Sequence, residues 1–360
     1  MLNYLKRKLV PMRLEELYKS MHETGVKRLL ITDTKLIEYA LGQRFYVSER
    51  FIGLLLQGGI ATLYLNLLFP YVNAEVKIVR FHDIDDPMKM LSEYLDGNEL
   101  WVDRNFAASF LLRLLRIKPN LSIMDGSFSI DRLRAKKSKD EQTKMRIASQ
   151  INDTVMAEVR DKLKIGVREI EIAEFIVKRF DKLADGVSFP PIVAFGDHTA
   201  DPHAQCGERK LEENMPVIID MGCVKDGYCS DMTRSFAINK PWNALIYNTV
   251  KMANRAGIAA VKPGVRLSEI DAAARKVIID AGFGEQFVHR LGHGIGTEVH
   301  EPFDVSAVSD IVAFEGMCFS IEPGIYLEGL GGVRIEDLVL VTETGCEVLN
   351  VYSKESEVIV

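Results

Sequence analysis

Two apolar stretches, each carrying a carboxylate on both of its arms, constrain this chain more than any other feature. The first reads Val217-Ile218-Ile219-Asp220, then a turn signal at Asp226-Gly227, then Asp231-Met232-Thr233-Arg234-Ser235-Phe236. The second reads Phe319-Ser320-Ile321-Glu322, a glycine-rich connection around Gly329, then Val333-Arg334-Ile335-Glu336-Asp337. β-Branched and aromatic residues around such turns predict strand–turn–strand units. A loop over Val224–Gly227 sets Asp220 opposite Asp231, and a loop centred on Gly329 sets Glu322 opposite Glu336. Directly opposed side chains lie about 4.5–5.5 Å apart at Cβ. Like charges at that range destabilise an apolar hairpin. A single pair can be explained by solvated carboxylates on an outer face. Two pairs on apolar strands call for a bound cation, which turns the repulsion into attraction.

An imidazole to join them stands in His289-Arg290-Leu291-Gly292-His293-Gly294-Ile295-Gly296, followed by Thr297-Glu298-Val299-His300-Glu301. The glycines let backbone approach a ligand closely, and they exclude the helical HExxH zinc motif. Three of the chain's seven histidines fall in this stretch, more than scatter would give. His203 stands upstream and is a weaker signal by itself; His198 reads as a surface loop residue. Carboxylates with one imidazole and no thiolate suit Mn²⁺, Co²⁺ or Zn²⁺, and they do not form a structural zinc site. Two such cations sharing a water lower its pKa and polarise a carbonyl. A nearby carboxylate can take and return the proton, and free histidines can steady the tetrahedral oxyanion. The chemistry these parts support is metal-assisted hydrolysis of an acyl bond, an amide.

The remainder sets the frame. A chain of 360 residues exceeds what one core usually holds, so two domains are expected. The fold class expected is α/β (α+β). Residues 1–129 alternate helix and strand patterns: helices at Leu14 to Val26, Pro87 to Tyr94 and Ala107 to Leu115, and a hairpin of Phe51 to Leu56 with Ala61 to Leu65 around Gly58-Gly59. Short strands are expected at Leu29 to Thr32, Val79 to Phe81, Leu100 to Val102 and Leu121 to Met124. The charged run from Ile130 to Glu141 reads as a solvated connector opening the second domain, 130–360. There two helices (Glu141 to Leu163, Val167 to Leu183) precede the first carboxylate hairpin. Two more (Trp242 to Val261, Leu267 to Ala281) precede the second, a faint duplication without visible sequence identity. A net charge of −6 argues against nucleic acid as partner. No apolar run reaches a membrane span, and the start Met1 to Met12 has basic residues without an apolar region behind them. Five scattered cysteines fit free thiols, and with them a cytoplasmic location.

The ordered set Asp220, Asp231, His293, Glu322 and Glu336 resembles the pita-bread metallopeptidases: methionine aminopeptidase, aminopeptidase P, prolidase and the metal-free creatinase. The strings Asp226-Gly-Tyr-Cys-Ser-Asp-Met-Thr-Arg234, Gly292-His-Gly-Ile-Gly296, Val299-His-Glu-Pro302, Ile321-Glu-Pro-Gly-Ile-Tyr326 and Gly332-Val-Arg-Ile-Glu-Asp337 look like the Xaa-Pro branch. The resemblance covers roughly Ile130 to Val360; the N-terminal domain resembles the usual prolidase partner domain more loosely. It implies a catalytic pita-bread domain and two divalent metals, Mn²⁺ or Co²⁺ with Zn²⁺ as a further candidate. Asp231 and Glu336 would bridge both ions, Asp220 would chelate one, and His293 with Glu322 would complete the other. Glu322 would be the acid/base toward a bridging hydroxide. His203 and His300 would contact the substrate carbonyl or tetrahedral intermediate, and His289 would line the proline pocket. Arg334 would hold the ligand carboxylates, or make a plain cross-strand salt bridge. A homodimer is implied as well, for which Phe51 to Leu56 or Leu63 to Phe69 could serve.

The implied reaction is cleavage of Xaa-Pro dipeptides by an Xaa-Pro dipeptidase. The alternative is aminopeptidase P acting on longer peptides, and a remoter one is a binding module on the same fold. Some prolidases carry an arginine four residues beyond the equivalent of His300, suited to a dipeptide's carboxylate; here Asp304 stands there. That anion would then be met elsewhere, by Arg44, Arg50 or a partner subunit.

Overall fold

The computed structural model describes residues 13–69, 72, 76–240 and 242–355, and the backbone of 358–359. The basic start from Met1 to Met12 lies outside them. The chain divides into two compact units, Met1–Arg134 and Ala135–Val360.

The first unit runs α1 (Leu14–Glu23), β1 (Arg28–Ile31), α2 (Thr34–Leu41), β2 (Ile52–Gln57), β3 (Ile60–Asn66), β4 (Lys77–Phe81), α3 (Pro87–Tyr94), β5 (Glu99–Val102), α4 (Ala108–Ile117), β6 (Ser122–Asp125) and α5 (Ser127–Ala135). One mixed sheet orders the strands β4-β3-β2-β1-β5-β6. Gly58 and Gly59, both at positive φ, close the β2–β3 hairpin in the twist that a two-residue turn needs. Helix α2, which the sequence reading passed over, is capped by the Asp33 side chain and stopped by left-handed Gly42. Phe51 to Leu56 is entirely buried core, so it offers no subunit face; Leu67 and Leu68 are exposed. Arg44 is paired with Glu38 and Arg50 with Asp83 and Glu49.

The expected boundary at Ile130 falls inside α5, because Ile130 and Leu133 pack into the first unit's core. Nor is the connector simply solvated. Asp131, Arg134, Lys137 and Glu141 are buried, while Lys136, Lys139 and Asp140 are exposed. The sequence shows the charges but not their partners: Lys137 meets Glu301 at 2.8 Å, and Glu141 accepts from Tyr228 at 2.7 Å.

The second unit contains α6 (Lys139–Arg160), α7 (Glu169–Leu183), β7 (Ile192–Phe195), β8 (Pro216–Met221), β9 (Val224–Lys225), β10 (Tyr228–Cys229) and β11 (Met232–Ile238). It continues through α8 (Ala244–Ala260), α9 (Leu267–Asp280), β12 (Gly292–Gly294), β13 (Glu301–Val305), β14 (Cys318–Ile321), β15 (Gly324–Leu327), β16 (Gly331–Arg334), β17 (Asp337–Val341), β18 (Cys346–Val348) and β19 (Val358–Ile359). Its larger sheets order β19-β11-β8-β7 and β13-β12-β14-β17-β18.

The duplication is physical. One core gathers α6, α7, β7, β8 and β11; another gathers α8, α9, β14, β16 and β17. Each second helix is entered through the same string, Gly166-Val-Arg-x-x-Glu-Ile172 and Gly264-Val-Arg-x-x-Glu-Ile270, a repeat that sequence inspection overlooked. The amides of Gly166 and Gly264 donate to Leu211 and Ala313 carbonyls at 2.8 and 2.9 Å, and the amides of Leu211 and Ala313 return bonds to Val167 and Val265. The first helices match too. Buried Asn152 on α6 donates to Met221 O, and buried Asn254 on α8 to Ile321 O, each next to an acidic candidate. Among the described residues no helix is long and apolar enough to cross a membrane.

Candidate metal centre

The centre is built where both central hairpins lose their regular ladders. In the first, Asp226 and Gly227 alone form the turn, both at positive φ. This shorter loop pairs Asp220 with Thr233, not with Asp231 as a longer loop requires. The slip is two residues, so Asp231 stays on the same face as Asp220 and Thr233. Between them, a Cβ at Gly222 would collide with Ser230 O, so only glycine lets the arms close here. In the second, Ile321 pairs with Asp337 and Gly324 with Arg334. Glu322 and Glu336 occupy the break between those pairs, opposite one another in the same register.

Asp231, His293 and Glu336 each present a ligand atom within 4.8 Å of the others, all three buried. His293 Nε2 is 3.3 Å from Glu322 Oε1 and 3.8 Å from Asp231 Oδ2. Its Nδ1 faces Gly294 O at 3.1 Å, which assigns the proton to Nδ1 and leaves the Nε2 lone pair for a cation. Asp220 Oδ2 receives Arg334 at 2.8 Å. Burial, then the neighbouring carboxylates Glu336 and Asp220, pushes the Asp231 carboxyl well above its ordinary value. Glu336 is raised in the same way by burial and by Glu322, and Glu322 by burial. Burial lowers His293 to about 4.

Three buried carboxylate oxygens, Asp220 Oδ1, Asp231 Oδ1 and Glu336 Oε1, have no hydrogen-bond partner. Buried acceptors left unmade cost stability. Two of the three belong to Asp231 and Glu336, which cluster with the neutral imidazole of His293, and carboxylates with one imidazole are a donor set that a divalent cation fits. None of the five cysteines belongs to the cluster.

Supporting side chains complete the arrangement. Thr233 Oγ1 donates to Glu336 Oε2 at 2.8 Å and accepts from Arg334 Nε at 3.2 Å. Ser320 Oγ donates to Glu322 Oε1 at 3.0 Å and accepts from His293 N at 3.0 Å. Tyr326 OH lies 3.0 Å from both Arg334 Nη1 and His289 Nε2. Sequence reading missed Thr233 and Ser320. Each stands two residues from an acidic candidate, so the period of a strand would have put it on the same face. Tyr326 and the pair Lys137–Glu301 had no comparable signal.

The histidines divide. His300 stacks edge-on against His293, ring centres 4.2 Å apart, with its outer side exposed. Glu301 is pulled inward by Lys137 and by donors from Thr297 and Glu298, so the loop buckles and presents His300. His289 is half-buried beside Tyr326. His203 is exposed, and the preceding carbonyl, Pro202 O, takes Arg334 Nη1 at 3.3 Å. His198 is on the surface, as expected, but its Nδ1 lies 2.9 Å from fully buried Glu169. Asp304 pairs with Arg290 at 2.9 Å.

The sequence model of metallopeptidase family M24 matches residues 143–343. An uncharacterized peptidase of Staphylococcus aureus is 39% identical over 282 residues, covering 77% of this chain and 80% of that protein. Among solved structures, the dipeptidase PepE from Mycobacterium ulcerans is 34% identical with a TM-score of 0.92, covering 96% of each chain. A recombinant prolidase from Thermococcus sibiricus is 31% identical with a TM-score of 0.88, covering 96% of this chain and 98% of its own.

Proposed function

Since this chain belongs to metallopeptidase family M24, we propose that it is an Xaa-Pro dipeptidase working with two divalent metal ions. The fold is the pita-bread one of that family, and peptides are its substrates. The observation that carries the reading is the buried cluster of Asp231, His293 and Glu336, with partnerless carboxylate oxygens on Asp231, Glu336 and Asp220. With Glu322, these residues would hold Mn²⁺ or Co²⁺, with Zn²⁺ a further candidate. When bound, such ions supply a water acidic enough to attack at neutral pH and polarise the scissile carbonyl.

The chain's own groups do the rest. Glu322, held by Ser320, takes the attacking water's proton and returns it to the proline nitrogen. His300, against His293, faces the carbonyl oxygen as charge develops there; His203, exposed one residue beyond the Pro202 carbonyl that takes Arg334, would reach the same oxygen once substrate is bound. His289 and Tyr326 wall the proline side. Arg334 fixes Asp220 and Thr233, and Thr233 fixes Glu336.

The unit Ala135–Val360 is the catalytic domain in this reading, and Met1–Arg134 the prolidase-type partner domain. A homodimer is part of it. So is a cytoplasmic location, which five free cysteines support. The second reading is aminopeptidase P. Asp304 favours it, because an acid already paired to Arg290 offers a dipeptide's carboxylate no cation of its own. Turnover of Ala-Pro against Ala-Pro-Ala, with metal content measured before and after chelation, tests both. Rapid cleavage of Ala-Pro, lost with the metal, is expected. Turnover of the tripeptide alone would replace the dipeptidase reading, and a chain that takes up no Mn²⁺ or Co²⁺ would end the metal reading.

A further inference from the structure

The stretch from 350 to 355 makes a series of bonds to the main chain that carries the acidic ligands. Asn350 is buried; its amide donates to Asp231 O at 3.2 Å and its Oδ1 accepts from Leu338 N at 2.6 Å. Arg234 is buried between ligand strand and tail. Its Nη1 donates to Glu336 O at 2.6 Å, and its Nη2 and Nε donate to Tyr352 O at 2.8 and 3.2 Å. Lys354 Nζ donates to Asp337 Oδ2 at 2.7 Å and to Asn254 Oδ1 at 3.1 Å. Asn254 in turn donates to Ile321 O, the carbonyl preceding Glu322. Outside, Asp153 accepts from the amides of Val351 and Tyr352, and Glu355 pairs with Lys251 and Arg255. Asp231, Glu322 and Glu336 are thus each tied to this one segment, directly or through a single side chain.

We propose that Asn350 and Lys354 are positioning residues of the metal centre, and that 350–355 is a strap whose docking and cation binding reinforce each other. The inference rests on the reading that Asp231, Glu322 and Glu336 hold the cation. Their backbone must stay put while the carboxylates converge, and partners outside the ligand set commonly change metal affinity by about 10–100-fold. The coupling is reciprocal by necessity: what the strap adds to cation binding, the cation adds to strap docking.

The test uses the full chain and Mn²⁺ titrated by calorimetry. Asn350→Ala and Lys354→Met are expected to weaken Mn²⁺ binding by about 10–100-fold, with Lys354→Arg recovering most of it. Ile278→Ala, in the α9 core, is the structural control: it lowers Tm and leaves Mn²⁺ affinity as it was. On the unmodified chain, a serine carboxypeptidase, which EDTA leaves active, should release residues 350–355 more slowly with Mn²⁺ than with EDTA, a readout that needs no variant to fold. Wild-type affinity in both variants, a loss no larger than the control's, or equal release rates would overturn the strap. An unmodified chain that binds no Mn²⁺ would instead overturn the cation reading beneath it.

Discussion

Asp231 shows how far a single residue can be read. Its type, its apolar surroundings and its distance from Asp220 in sequence all announced a ligand, yet its place in the ladder was two residues off. The turn alone decides that register, and Asp226-Gly227 serves a two-residue loop as well as a four-residue one. The error left the site legible because a slip of two keeps every side chain on its face. Thr233 fills the position across from Asp220 and holds Glu336. On the proposed ligand set, Asp231→Asn should cut peptide hydrolysis by more than about a hundredfold, since losing a ligand outweighs losing an outer partner. The metal-free variant should melt no lower than the parent, because one of several crowded buried charges is gone. Hydrolysis rates and thermal melts in EDTA check the two halves. A folded, active variant would remove Asp231 from the ligand set.

Elements were legible where their signals were local. Helix α3 with proline at its start, the β2–β3 hairpin and the helix pairs ahead of each carboxylate hairpin follow from periodicity and turn residues. What failed depended on partners distant in sequence. The run from Ile130 to Glu141 looked solvated because Lys137 finds Glu301 only in the folded chain. That pair is almost fully buried, so Lys137→Met strands a carboxylate and should cost about 3–5 kcal/mol, measured by urea unfolding. It should also release the turn that presents His300, lowering kcat in the protein that remains folded. Strand β12 depends on close approach in the same way. A Cβ at Gly292 would run into Ser320 O, which is backbone and cannot step aside. Gly292→Ala should therefore lower stability by about 1–3 kcal/mol or more and push His293 out of line. An unchanged urea midpoint would contradict the close packing of β12 on β14.

For the whole molecule, protons and cations compete for one centre. The carboxyls of Asp231, Glu322 and Glu336 sit above their unfolded values, so the stability they allow without metal is full below pH about 4. It is lost as pH rises through those raised values. His293 has the opposite sign: lowered to about 4, it contributes above its ordinary value of 6.5 and loses this as pH falls. A cation needs the carboxylates ionised and the imidazole neutral, so both effects strengthen its binding as pH rises. The gap in Tm between Mn²⁺-loaded and EDTA-treated protein should widen from pH about 5.5 to 8; a constant gap would count against these shifts. The duplicated construction has a further consequence. Asp220 and Asp231 come from the half entered at Gly166, whereas His293, Glu322 and Glu336 come from the half entered at Gly264. In the language of coordination chemistry, the proposed ligand set makes the chain two partial chelators in tandem, one of two donors and one of three. Cut between β11 and α8, neither piece would keep the full denticity, although Arg234–Asp337, Arg334–Asp220 and Lys137–Glu301 still join the two without any ion. Each piece produced alone should then bind Mn²⁺ far more weakly than the intact chain, which calorimetry on the two pieces checks.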